Sequence, residues 1–299
     1  MKQILITGGS GPVGNQLTSM LIQLGYEVAH LSTRKNAKHP IAKVFHWDIE
    51  QQHIDTDCLE NTIAIIHLAG ASVAGKRWSD THKKTIYDSR ILSTKLLHDT
   101  LKSNKHKVQQ FISTSATGYY GVNTAGILTE DSKNGNDFLA KVCRDWEKEA
   151  QVIESLEIST SIVRIGIVLS KNGGALKEMM QTFPFFGATI GNGQQIYPWI
   201  HIDDLCQIFI HLIKNKIEGT FNATAPKPVS QKAIIKAVKK EKYPIAPILP
   251  TPLFILNIVL GEMTAVVAGS QNCSSKKIQE HGFEFEYPTI EKAIKVILA

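Results

Sequence analysis

The chain opens on a short apolar run, residues 2–7, that ends in glycines. An unbroken apolar run closed by turn residues predicts a strand covered on both faces. From residue 12 to 24 the period changes: Val13, Leu17, Met20, Leu21 and Leu24 fall on one helical face. Pro12 suits the first helical turn and Gly25 the C-terminal cap. Further strands are predicted at 26–31, 43–45, 64–68, 111–113 and 161–169, and helices at 80–103 and 138–155. In the first of these helices Ile86, Leu92, Leu96, Leu97 and Leu101 are the expected core positions. Strands alternating with helices at these lengths predict an α/β fold, a doubly wound parallel sheet of Rossmann type. After residue 170 glycines become frequent and the pieces shorter, with a helix expected at 205–213 and a strand at 220–223. The expected division is a dinucleotide-binding domain at 1–170 and a smaller C-terminal domain at 171–299, with a segment near 196–226 returning to the sheet.

With 43% hydrophobic residues in 299, the chain can bury a sizeable core, and no low-complexity tract suggests disorder. The formal charge of +6 is scattered, which argues against nucleic acid as a partner and suits ligands that carry phosphates. The densest run, Lys236, Lys239, Lys240 and Lys242, reads as a solvated helix face. Cys58, Cys143, Cys206 and Cys273 lie far apart without metal-ligand spacing, so free thiols in a reducing compartment are expected, and no metal. The N-terminus lacks a basic leader, and the apolar stretch 253–268 is broken by Gly261 and Glu262. A cytoplasmic protein with no membrane partner is the expectation.

The first loop carries the strongest motif. Gly8, Gly9, Ser10, Gly11, Pro12, Val13 and Gly14 follow the first strand and open the first helix, satisfying both G-x-x-G-x-x-G and G-x-G-x-x-G. Glycines permit the tight turn and close approach of backbone to a pyrophosphate, which the helix N-terminus then attracts. An NAD site expects a carboxylate at the end of the second strand, to take the ribose hydroxyls. Here that position reads Ser32-Thr33-Arg34-Lys35. A guanidinium there suits a 2′-phosphate, so NADP is the expected cofactor.

These segments resemble the extended short-chain dehydrogenases/reductases. Among them the chain is most similar to an atypical sugar-nucleotide-epimerase-like family with a short C-terminal domain of unknown function. The likeness runs through His67-Leu68-Ala69-Gly70, Gly75-Lys76-Arg77-Trp78, Val163-Arg164-Ile165-Gly166, Pro198-Trp199-Ile200-His201 and Leu260-Gly261-Glu262-Met263. It implies that Asp48 and Ile49 sit near adenine, and that Leu68, Ala69 and Gly70 line the ribose and pyrophosphate path. It further implies that Arg90, with Thr85 one turn before it, faces the nicotinamide end, and that Val168 lies near that ring. Pairing through the long helices into a homodimer is implied as well.

Typical members use Ser, Tyr and Lys, the Tyr acting as acid or base beside the hydride path. Ser115 takes the serine position, but the Tyr and Lys positions hold Leu139 and Cys143. Tyr119 and Tyr120 follow the serine and are candidates for the missing acid, with packing in the loop as the alternative. Arg77, Trp78, Trp199 and His201 are candidates for the substrate pocket, again with packing as the alternative; Lys141 reads as a solvated charge. Two functional readings stay open. One is an NADP(H)-dependent oxidoreductase or epimerase acting on a small polar substrate, with sugar nucleotides among the candidates; the other is a non-catalytic NADP(H)-binding sensor or interaction protein.

Overall fold

A computed structural model describes every residue except Met1, Gly75, Asn123, Asn172 and Pro184, so Gly75 of the matched segment lies outside the described residues. Strands β1 (Gln3–Thr7), β2 (Glu27–Ser32), β3 (Lys43–Asp48), β4 (His53–Ile54), β5 (Thr62–His67) and β6 (Gln110–Ala116) are joined in one sheet by β7 (Ser159–Ile165). Beyond Gly166 come β8 (Ile167–Ser170), β9 (Trp199–His201) and β10 (Gly219–Ala223). The main sheet has the order β10-β7-β6-β5-β1-β2-β3-β4, and all but the edge strand β4 are parallel. The order reverses between β1 and β5. That is the topological switch point of an NAD(P)-binding Rossmann fold, where ligands bind beyond the carboxyl ends of the strands.

Alternation along each strand decides which helix it holds. Ile4 and Ile6 pack with Leu17 and Leu21 of α1 (Pro12–Gln23). Leu5 points the other way, to Leu96, Leu97 and Leu101 of α2 (Asp80–Ser103), beside Ala150 of α3 (Phe138–Gln151). Leu205, Phe209 and Leu212 of α4 (Ile202–Asn215) complete the first layer. Each fully buried aliphatic side chain contributes roughly 1.5–3 kcal/mol of transfer free energy. A third cluster lies in the C-terminal half. There Ile234, Ile235 and Val238 of α5 (Gln231–Lys242) pack on Trp199, Leu169 and Ile294, and Lys236, Lys240 and Lys242 are exposed. Two short helices, α6 (Leu253–Leu260) and α7 (Met263–Val267), precede the last one, α8 (Ile290–Leu298).

Two expectations are corrected. The strand expected at 161–169 is two strands in different sheets. At Gly166 the chain passes so close to Pro198 that an added Cβ would lie 2.0 Å from the Pro198 carbonyl oxygen. The strand therefore leaves β10, and β8 pairs with β9 instead. Leu92 is exposed at 38%, while Ser93 and Thr94 are buried in α2 because they bond a buried histidine, described below. All four cysteines are free and buried. Among the described residues no helix is long and apolar enough to cross a membrane.

Candidate functional site

A cavity of about 500 Å³ lies at the carboxyl ends of β1, β5, β6 and β7, and Gly8, Gly11, Pro12, Val13 and Gly14 form one wall. The Gly11 N–H donates to the Gly8 carbonyl at 3.1 Å, closing the turn. Gly11 is the α1 N-cap in extended backbone with no side-chain cap, and Pro12 follows. The next amides of the first turn are therefore left for a ligand. Gly14 is required by close packing, because a Cβ there would sit 2.6 Å from the Gly8 oxygen and 2.6 Å from the Gly9 Cα. Asn15 ties the loop by donating to the Ser10 and Gly11 carbonyls. Two residues of the motif do not line the cavity: Gly9 packs over the ring of His30, and Ser10 is exposed.

The second wall comes from the end of β5. His67 is fully buried, with Nδ1 2.7 Å from Thr7 Oγ1 and Nε2 3.1 Å from Thr94 Oγ1. Thr7 Oγ1 accepts the N–H groups of Leu68 and Ala69, so its own proton goes to His67 Nδ1 and the imidazole carries its hydrogen on Nε2. Burial, aided by the charge of Arg90, pushes the His67 pKa down to about 3. This neutral hub fixes Leu68 and Gly70 against the cavity, while Ala69 packs into the sheet core. Arg90 lines the cavity as well. Its Nη1 donates to the Ala71 and Ile86 carbonyls, and its guanidinium lies 5.2 Å over Trp146. Thr85 does not share that face: it is exposed and donates to the Thr81 carbonyl, and Ile86 takes the cavity position.

The remaining cofactor candidates lie outside the cavity lining. Thr33 and Arg34 are exposed at the end of β2, where the Arg34 N–H donates to Ser32 Oγ. Asp48, at the end of the adjacent β3, accepts from the Gln51 N–H, and Ile49 packs against the core. Val168 packs against the first hydrophobic layer from β8.

At the far end of the cavity Ser115, Leu139 and Cys143 share the lining with Trp146. The Ser115 hydroxyl donates to Glu147 Oε1 at 2.6 Å. Arg164 grips the same carboxylate, Nε to Oε1 at 2.9 Å and Nη2 to Oε2 at 2.8 Å. An ionised carboxylate only accepts, so Ser115 presents its oxygen lone pairs, not its proton, to the cavity. Burial, then the Glu147 charge, pushes the Cys143 thiol up to about 11, against the opposing effects of Arg90 and Ser115. A neutral thiol is no nucleophile.

Neither tyrosine, the two candidates for the missing acid, lines the cavity. Tyr120 is buried; its hydroxyl donates to Asn222 Oδ1 at 2.6 Å and accepts from Arg164 Nη1 at 3.0 Å. Burial raises its pKa well above the usual phenol range, although Arg164 and the hydrogen bonds oppose that rise. Tyr119 lies under the Arg164 guanidinium, 3.5 Å from ring centroid to Cζ. Both stand behind the cavity wall and not in it.

The four substrate-pocket candidates also miss the lining. Trp199 is fully buried in the C-terminal cluster and donates to the Lys227 carbonyl. His201 caps α4 by accepting the Asp203 N–H, and its ring lies 3.9 Å from that of Tyr287. Trp78 donates to the Val73 carbonyl and packs edge-on against Phe138. Arg77 is exposed beside Gly261.

Glu147, Arg164, His67 and Asp137 shape the site although sequence reasoning assigned none of them a role there. Asp137 lines the cavity as the α3 N-cap, accepting from the Ala140 and Val122 N–H groups. One signal was available: Arg164 is a lone charge inside an apolar strand, and such a charge needs a partner.

A parallel sheet reversing at a glycine turn, with a serine at the end of the neighbouring strand, defines a Rossmann protein of the extended short-chain dehydrogenase type. The chain belongs to the NAD dependent epimerase/dehydratase family, whose model matches residues 4–223. Residues 251–297 match a domain of unknown function. An epimerase family protein of Staphylococcus aureus is 35% identical over 305 residues, covering 100% of this chain and 99% of the relative. The structure of a human epimerase family protein with NADPH superposes with a TM-score of 0.88 at 25% identity, covering 99% of this chain and 98% of that one. A nucleoside-diphosphate sugar epimerase of Corynebacterium glutamicum is 31% identical, with a TM-score of 0.78 over 99% of this chain and 58% of its own.

Proposed function

We propose that the chain binds NADP(H) across the glycine turn and acts as an oxidoreductase or epimerase that moves hydride to or from a small substrate. The observation that carries this is one continuous cavity joining Gly8–Gly14 to Ser115. The residues fit the coenzyme: α1 begins without a side-chain cap, and Gly14 lets the turn close on itself, since a Cβ there would meet the Gly8 oxygen and the Gly9 Cα. When bound, the nicotinamide supplies or accepts hydride. Arg34, with Thr33 beside it, is the group for the 2′-phosphate, since no carboxylate stands at 33–35. The NADPH in the human relative supports that preference. Ser115 then accepts a hydrogen bond from a substrate hydroxyl. Leu139 carries no proton, so water relays it. The corynebacterial relative is named a nucleoside-diphosphate sugar epimerase, which supports including sugar nucleotides in a substrate panel.

A second reading, a non-catalytic NADP(H) binder, is favoured by Leu139 at the acid position and by the commitment of the Ser115 proton to Glu147. Calorimetry with NADPH, NADP and NADH tests binding. Coenzyme absorbance followed against aldehydes, quinones and sugar nucleotides tests turnover. Turnover that collapses in Ser115→Ala supports the enzyme. Binding without turnover across the panel supports the sensor, and no heat from any coenzyme overturns both.

A further inference from the structure

We propose that the substrate half of the cavity takes an uncharged, largely apolar carbonyl compound or alcohol of the quinone or aromatic-ketone kind, and not a nucleoside diphosphate sugar. This rests on the coenzyme occupying the glycine-turn half, as proposed above. The walls left to a substrate include Val73, Val122, Val142, Ile196 and Val266. Among the described lining residues the charged side chains are Arg90 and Asp137.

Neither suits a diphosphate. Arg90 is held by two backbone carbonyls and the Trp146 face. Asp137 places a carboxylate at the α3 N-terminus, the one position on that wall where a helix end would welcome an anion. A diphosphate brought there loses water and meets a negative charge, which disfavours it unless cations compensate. Neither Lys83, which pairs with Glu262 at 2.6 Å, nor the exposed Arg77 belongs to the cavity lining.

The lining's other polar groups are mostly engaged. Gln271 Nε2 donates to the Thr117 and Gly121 carbonyls, and the Tyr197 hydroxyl donates to the Val267 carbonyl. Left over are the acceptor lone pairs of Ser115, with the Thr117 hydroxyl and the Gln271 amide oxygen beside them; the Trp146 indole N–H is buried without a partner behind the lining. Buried donors are normally satisfied. A few uncharged hydroxyl and amide groups in an otherwise apolar chamber match a substrate with few carbonyl or hydroxyl oxygens on an apolar frame.

Calorimetric titration of the full chain loaded with NADP, which cannot reduce the added compound, tests this with menadione and UDP-glucose as probes. The expected result is saturable menadione binding and no UDP-glucose binding. Val266→Lys and Val73→Lys, on separate walls, each weaken menadione by about tenfold or more, because a lysine in an apolar wall must stay hydrated. Saturable UDP-glucose binding, absence of menadione binding, or menadione affinity unmoved by both variants overturns the proposal. If NADP itself gives no heat, the coenzyme reading fails on its own. The same titrations on the unloaded chain then decide the substrate class.

Discussion

Ser115 donates its hydroxyl proton to Glu147 across 2.6 Å, and Glu147 is in turn clamped by Arg164. The site thus holds a serine whose oxygen faces the cavity as an acceptor, backed by a buried ion pair in which both partners are under 10% exposed. Removing one member of a buried pair strands the other charge.

Glu147→Gln is therefore expected to destabilise the fold by about 3–5 kcal/mol. Urea unfolding measures it. The double replacement Glu147→Leu with Arg164→Met is expected to recover most of that loss, since no charge is then left unpaired. A Glu147→Gln variant as stable as the parent contradicts the pairing.

Arg34→Ala is expected to weaken NADPH by about 10- to 100-fold, the worth of roughly 1.5–3 kcal/mol for hydrogen bonds to a charged group. NADH affinity stays near its original value. Equal losses for both coenzymes remove the 2′-phosphate role from Arg34.

Gly14→Ala puts a methyl group 2.6 Å from the Gly8 oxygen. The turn must open, so coenzyme affinity falls by tenfold or more, by about 1.4 kcal/mol or beyond, and the melting temperature drops. Retained affinity shows that the turn is not the cradle.

Stability is expected to fall on acidification below pH 6.5. Burial, then the charge of His39, depresses His30 to about 4, and His67 sits at about 3. Below 6.5 the unfolded chain binds protons that the fold refuses, so each histidine costs about 1.4 kcal/mol per pH unit until its folded pKa is reached. Burial raises Asp204 to about 6, and this opposes the trend between pH 6 and the ordinary carboxylate range because there the fold binds the extra proton. Asp204 thus offsets about one of the two histidine contributions, and a net loss of about 1.4 kcal/mol per pH unit is expected between about pH 6 and 5. Melting temperature against pH, with His67→Gln flattening part of the slope, checks the assignment.

Legibility in the sequence followed the range of the interactions. The helix at 80–103 was recovered with its bounds, and the glycine turn with its strand and helix, because periodicity, caps and turn residues act over a few positions. The likeness of segments placed Ser115 opposite Leu139 and Cys143, and the cavity brings the three together. Leu92, expected in the core, is exposed while Ser93 is buried, because a helical apolar pattern does not announce that a serine will bond a histidine 26 residues away.

The order of elements, the glycine turn, the basic end of β2 and the loss of the Tyr and Lys were written in the chain itself, since each depends on local spacing. Only the tertiary structure decided that Tyr120 serves Arg164 and Asn222, that Trp199 and His201 are interior, and that the Ser115 proton belongs to Glu147. Those outcomes depend on partners 17 to 102 residues apart. Burial and hydrogen-bond direction are properties of the neighbours that folding supplies, and a residue's own identity does not specify them.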